Sequence, residues 1–234
     1  SMKTIASVRL RNIEKKARRA RPYAEAMQYF LRRMIDGMGG ALIHPLLEMR
    51  EAKKRCYIVI TSDRGLCGSY NHDIIRYTEK ELAVHPGEQV ITIGKFAYRH
   101  FLHQSYPHLT DYDGITDDVD FAVVKQLAAG LIREYLNRRL DEVNLVYAKY
   151  HGPARQEPAL LRLLPVDVGV AAANAGGEKK EEYLYEPSAE GIFRFLLPQY
   201  LNTVLYNALL EAKTSEQAAR MVAMDTATDN AEEM

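Results

Sequence analysis

The residues best placed to do chemistry form one short run, Thr61-Ser62-Asp63-Arg64-Gly65-Leu66-Cys67-Gly68-Ser69. It lies between the strand-like Tyr57-Ile58-Val59-Ile60 and a helix-like stretch from Asn71 to Glu81. A Gly-rich strand-to-helix turn is where an α/β fold binds phosphates, because backbone N–H groups and a helix N-terminus converge there. A Walker-type loop needs Lys and then Ser or Thr after its last glycine, so that an ammonium and a hydroxyl reach phosphate and metal. Here Ser69 and Tyr70 follow Gly68. A dinucleotide fingerprint needs three glycines in G-x-G-x-x-G order, and this run supplies Gly65 and Gly68 alone. The G-x-S-x-G elbow is absent, and Cys67 has no evident His and acid to activate it. Two readings stand. In the first, Gly65 and Gly68 hold backbone that a Cβ resists, Asp63 accepts turn N–H bonds, and Ser69 or Asn71 caps the next helix. In the second, the Asp63–Gly68 turn serves a small nucleotide-binding α/β enzyme.

Other candidates are thinner. His100 and His103 are three apart on a predicted helix, with His108 after Pro107, but no Cys or carboxylate completes a zinc set. Asp117, Asp118 and Asp120 have the chemistry to hold a cation, yet an acidic turn ahead of a helix already meets the positive end of the helix dipole. No catalytic residue, cofactor or metal is therefore expected. Cys56 and Cys67 are too few for a disulfide framework, and free thiols in a reducing compartment are expected.

The elements that must position the turn follow from periodicity. Ala6, Leu10, Ile13, Ala17, Ala20, Ala24, Met27, Leu31 and Met34 step by threes and fours, the rhythm of a coiled-coil seam, along a first helix closed by Gly37, Gly39 and Gly40. Pro22 predicts a kink unless one turn is loosened. Leu201, Leu205, Ala208, Ala212, Ser215, Ala219, Val222 and Thr226 repeat the rhythm in a helix from about Ser188, with a break expected at Pro198. Two such helices with narrow stripes exceed what one compact domain can cover, and antiparallel pairing is expected.

Between them, strands at Cys56–Thr61, Gln89–Ile93, Val143–Tyr150 and Ala159–Asp167 alternate with helices at Asn71–Leu82, Lys95–Ser105 and Phe121–Leu140. That alternation predicts a Rossmann-like α/β domain, a mostly parallel sheet with flanking helices. The expected division is 1–50 for the first helix of the coiled coil, 54–187 for the globular domain and 188–234 for the second. Ala172 to Glu182, with Gly176 and Gly177, reads as a mobile surface loop.

Positive and negative side chains balance at 31 each, so net charge gives no case for nucleic acid. The first helix is nonetheless basic, with Lys3, Arg9, Arg11, Lys15, Lys16, Arg18, Arg19, Arg21, Arg32 and Arg33 set against Glu14 and Glu25. A solvated face and a docking surface for an acidic partner are both open. Without interleaved aromatics a nucleic-acid groove is not expected. No apolar run reaches the roughly 18 residues of a membrane span, and no signal peptide precedes Lys3, so the chain reads as soluble or peripheral.

Three stretches carry a family likeness: Ala20-Arg21-Pro22-Tyr23-Ala24, then Thr61 to Gly68, then Ser215-Glu216-Gln217-Ala218-Ala219-Arg220-Met221-Val222-Ala223-Met224 with Ala227-Thr228-Asp229-Asn230. Tyr183-Leu184-Tyr185-Glu186-Pro187-Ser188 and Leu197-Pro198-Gln199-Tyr200-Leu201 add to it. With these the chain resembles the gamma subunits of F-type ATP synthases, the central shaft of a rotary motor. Ser69-Tyr70-Asn71-His72 departs from the Gly-Leu or Gly-Phe more usual there. The resemblance also implies truncation at both ends, with a natural, a proteolysed and an engineered origin all open and Ser1 readable as an expression scar in the last of these. A basic helical stretch is expected before Met2 and further turns after Asn230.

The resemblance implies a non-catalytic subunit of a proton-transporting ATP synthase, passing rotation between the membrane c-ring and the catalytic alpha/beta hexamer. Its implied partners are the alpha, beta and epsilon subunits and the ring, with membrane association indirect. Ser62, Asp63, Arg64, Gly65, Leu66, Cys67 and Gly68 become a signature turn. Met2, Arg220, Met221, Met224, Asp229 and Asn230 become candidates for contact with the hexamer, Arg220 through charge-assisted bonds to acidic groups of a beta-subunit loop. Without the long Cys-containing insertion of chloroplast subunits, the cytoplasmic face of a bacterial plasma membrane is expected ahead of a mitochondrial matrix face. The nucleotide-binding enzyme and a coiled-coil adaptor of the same architecture stand as alternatives.

Overall fold

The computed structural model describes residues 2–38, 44–87, 89–115, 117–169 and 188–234. The expectations for Gly39, Gly40, the 172–182 loop and residues 183–187 lie outside them. Helix α1 spans Met2–Gly37 and α5 spans Ala189–Glu233. Between them come β1 (Arg55–Ile60), α2 (Tyr70–Val84), β2 (Gln89–Ile93), α3 (Lys95–His103), β3 (Leu109–Asp111), α4 (Phe121–Leu136), β4 (Glu142–Gly152) and β5 (Arg155–Leu164).

One sheet results, in the order β3-β2-β1-β4-β5. Strand β1 pairs in parallel with β2, Ile58 opposite Ile91, and with β4, Ile58 opposite Leu145. Its apolar run is buried on both faces, as a central parallel strand requires. Cys56, Ile58 and Ile60 join the core shared with α1, α4 and α5, while Tyr57 and Val59 pack with Ile74 of α2 and Ala97 and Phe101 of α3.

The α/β class with a mostly parallel sheet and two long terminal helices stands, with several corrections. Strand β3 escapes the sequence reading because it is three residues of which two are exposed. Strand β5 starts at Arg155 rather than Ala159 and runs antiparallel to β4. Pro153 and Ala154 alone join the two strands, and so short a link permits only a hairpin. Pro158 is tolerated because β5 is an edge strand. Helices α3 and α4 end earlier than expected, where Ser105 and Arg138 adopt left-handed backbone (φ 53° and 57°).

Pro22 and Pro198 lie inside uninterrupted helices. Pro22 is exposed, so the carbonyl it deprives of a partner faces water. Helix α1 keeps the expected stripe, with Ala6, Leu10, Ile13, Met27, Leu31 and Met34 buried. Helix α5 does not. From Ala208 to Ala218 all but Glu211 are buried, because α5 packs against α1, α4 and β4 together. The two helices run antiparallel: Lys3 pairs with Asp225, and Gln28 shares a cavity with Tyr200 and Val204.

Candidate functional site

The signature turn is held from within by a buried cluster. Asn71 Oδ1 accepts the Ser62 N–H at 2.9 Å, Asn71 Nδ2 donates to Ser62 Oγ at 2.7 Å, and Ser62 Oγ donates to the Arg64 carbonyl at 2.7 Å. Asn71 Nδ2 also lies 3.3 Å from Cys67 Sγ. Ser69 occupies the N-cap of α2, as one of the two expected residues, but makes no side-chain cap bond: its Oγ donates to Asp73, while Asn71 is committed to the turn. Asp63 likewise does not serve its own turn but accepts from the Lys95 N–H at 3.1 Å, opening α3, while Thr61 Oγ1 accepts from the Ala97 N–H.

Gly68 takes left-handed backbone as expected (φ 61°), whereas at the other end of the turn it is Leu66 (φ 63°), not Gly65, that does so. A Cβ on Gly65 would meet Phe96 at an ordinary 3.7 Å, and nothing in the structure requires glycine there. The indispensable glycine is Gly94, where φ is 103° and a Cβ would lie 2.1 Å from the Thr61 carbonyl oxygen.

In an open α/β sheet, ligands bind outside the carboxyl ends of the strands where the strand order reverses. Here that point lies between β1 and β4. Helix α5 occupies it. Ser215 Oγ donates to the Ala148 carbonyl of β4 at 2.8 Å, and Tyr70 of α2 donates to the Ala212 carbonyl at 3.0 Å. Arg220 reaches the turn itself, donating to the carbonyls of Arg64 (3.0 Å) and Gly65 (3.4 Å) and to Glu216 Oε1 (3.0 Å).

One turn deeper, the Lys213 ammonium lies 3.2 Å from Glu216 Oε2 and 3.6 Å from Asp117 Oδ1, with its side chain 1% exposed. Burial disfavours that ammonium, but Glu216 and then Asp117 outweigh it and hold the Lys213 pKa above its usual value. Asp117 also accepts from Arg9 of α1 at 2.9 Å. Gln217 beside them is fully buried, and neither polar atom of its amide has a hydrogen-bond partner among the described residues.

The acidic loop thus answers the basic helix: Asp117 holds Arg9, Asp118 holds Lys16, and Asp120 caps α4 by accepting from the Ala122 N–H. His100 lies 2.7 Å from Glu79, whose pKa is lowered by hydrogen bonds from Gln104 and His100. Among the described residues no group of His, Cys, Asp and Glu is arranged to hold a metal. Beside the turn is a cavity of about 440 Å³ lined by Cys67, Tyr70, Ala148, Ala219 and Val222 among others. Burial raises the Cys67 thiol pKa, which works against a thiolate nucleophile. Among the described residues no helix is long and apolar enough to cross a membrane.

Of the hexamer-contact candidates, Met2, Asp229 and Asn230 are exposed at one end of the α1–α5 pair, where Lys3 bonds Asp225 and feels the charge of Asp229. Met221 and Met224 are half-buried. Arg220 is separate from them, turned onto the signature turn. The reading from sequence missed Lys213 and gave Glu216 no role. The i, i+3 and i, i+4 spacing of Lys213, Glu216 and Arg220 was the available signal.

A family model described as ATP synthase matches residues 1–234. The chain is 38% identical over 238 residues to the ATP synthase gamma chain of Heliobacterium modesticaldum, covering all of this chain and 82% of that protein. It is 36% identical over 235 residues to that of Pelotomaculum thermopropionicum, covering all of this chain and 81% of that one. In fold it resembles a chain of the central stalk and c-ring of the Tetrahymena thermophila mitochondrial ATP synthase, with a TM-score of 0.70 at 20% identity and 97% of both chains covered.

Proposed function

The chain belongs to the ATP synthase family as a gamma chain of the central stalk, and from that premise we propose how it acts. It transmits rotation between the membrane ring and the alpha/beta hexamer, while the bonds of ATP are made and broken in other subunits. The observation that carries this is the fate of the crevice at β1 and β4: an enzyme of this fold needs it for substrate, and here the shaft helix fills it. A single shaft inside a threefold ring meets three equivalent sites in three different ways. Each site therefore has a different contact free energy, and turning the shaft shifts their conformational populations in sequence.

In this reading the shaft is α1 and the helix of 188–234. The expected first segment, 1–50, is shaft only as far as α1 reaches, because Leu46 and Arg50 bond into the globular domain expected at 54–187, which bears on the ring and the epsilon subunit. The bacterial relatives support a position on the cytoplasmic side of the plasma membrane. Met2, Met221, Met224, Asp229 and Asn230 face the hexamer. Arg220 does so without leaving the turn: a guanidinium has five N–H donors, three are engaged among the described residues, and the other two are available to an acidic group of a beta-subunit loop. The test is co-purification with alpha and beta subunits and ATP-driven proton uptake in reconstituted membranes. Failure to assemble, or tight saturable nucleotide binding by the chain alone, would sink the reading in favour of an enzyme.

A further inference from the structure

The charged groups that fill the crevice lie where α5 leaves the globular domain. Residues 212–218 are buried, Ala219 to Met221 half-buried, and the chain from Thr226 to the C-terminus exposed. Through this exit runs a continuous set of contacts. Arg9 of α1 meets Asp117, Asp117 meets Lys213, Lys213 meets Glu216, Glu216 meets Arg220, and Arg220 holds the carbonyls after β1. Both shaft helices and two connections of the globular domain are therefore tied together at one level.

We propose that Lys213 and Glu216 are positioning residues that lock the globular domain to the shaft at this exit, so that torque received at the foot turns the projecting helices without slip. The proposal rests on the rotor reading and adds to it the place where load crosses between the two parts. Apolar contacts are non-directional and let packed helices slide, whereas charge-assisted hydrogen bonds have fixed length and direction. Burying an ion pair does little for stability compared with apolar residues of the same volume, and its attested use is to fix register.

The test uses the complete enzyme in membrane vesicles, with ATP hydrolysis and ATP-driven proton uptake measured on one preparation. Lys213→Met or Glu216→Gln alone takes one charge out of a buried set that is otherwise balanced and can destabilise the chain. The deciding variant is therefore the double Lys213→Met/Glu216→Gln, which removes both charges and nearly keeps the volume. It is expected to assemble with an unchanged melting temperature and to hydrolyse ATP at the unsubstituted rate. Its proton uptake per ATP is expected to fall by about fivefold or more, the lower end of ordinary coupling between sites. Lys213→Arg in the otherwise unsubstituted chain keeps the charge and is expected to leave uptake per ATP unchanged. A double variant that pumps as well per ATP as the unsubstituted protein overturns the proposal. So does one that fails to assemble, because the pair would then carry the fold. If the unsubstituted chain itself does not assemble or pump, the rotor reading falls and this inference with it.

Discussion

Single residues here fix backbone more than they fix substrate. Gly94 is the sharpest case, because φ of 103° and a 2.1 Å approach to the Thr61 carbonyl leave no room for a side chain. Gly94→Ala is expected to cost roughly 2 kcal/mol or more, the scale of a forced left-handed residue plus displaced backbone, read as a lower melting temperature. Protonation tells a second story. Burial pushes the Cys56 thiol from 9.0 up to about 12 and the Tyr57 phenol from 10.0 up to about 12, and Lys213 is also held above 10.5. In each case the folded chain keeps a proton that the unfolded chain gives up first. Their contribution is thus complete below about pH 9 and is lost as pH rises toward 12. Urea midpoints are expected to be level through neutrality and to decline above pH 9, with Cys56 resisting thiol reagents until that decline. A midpoint that rises in this range would contradict the assignment. The signature turn was visible as residues, but which of them face inward was not. Asp63 and Asn71 bond across the chain to partners 32 and 9 residues away, and spacing carries no record of that.

Elements were legible where periodicity alone decides them. Helix α1 reads true because it is covered on one side, so its stripe is its interface. Helix α5 misleads because its middle is enclosed on all sides, which erases the contrast between faces that a moment measures. Strands β3 and β5 were blurred by exposure at the sheet edges, where burial no longer selects residue type. Capping follows local chemistry at α4 and α5, though not at α2, where the Ser69 hydroxyl turns to Asp73. Ser188 accepts from the Gly191 N–H at 3.0 Å to open α5, and Asp120 does the same for α4. Ser188→Ala and Asp120→Ala are each expected to cost about 1 kcal/mol in unfolding free energy. A loss several times larger at Asp120 would mean that the acidic loop does more for the fold than start a helix.

At the scale of the whole molecule, zero net charge hides a separation. Arg11, Lys15 and Arg18 follow one another along α1 at i, i+4 and i+7, are exposed, and have no ionic partner among the described residues. Arg9 and Lys16, by contrast, are already neutralised by the acidic loop. Two populations of cations on one helix imply two tasks: one set holds the shaft to its own domain, and the other projects a field. A ridge of like charge on a rod accelerates encounter with an acidic concave surface, by about tenfold or more at low salt, and the gain vanishes as the Debye length shrinks below ~10 Å. Replacing Arg11, Lys15 and Arg18 together by Gln is therefore expected to slow association with the alpha/beta hexamer about tenfold at low ionic strength and hardly at all in molar salt. The dissociation rate should change less, since exposed rim charges act mainly on encounter. Stopped-flow binding across a salt series measures both. Equal slowing at every salt concentration would mean that these residues make short-range contacts and that the ridge steers nothing.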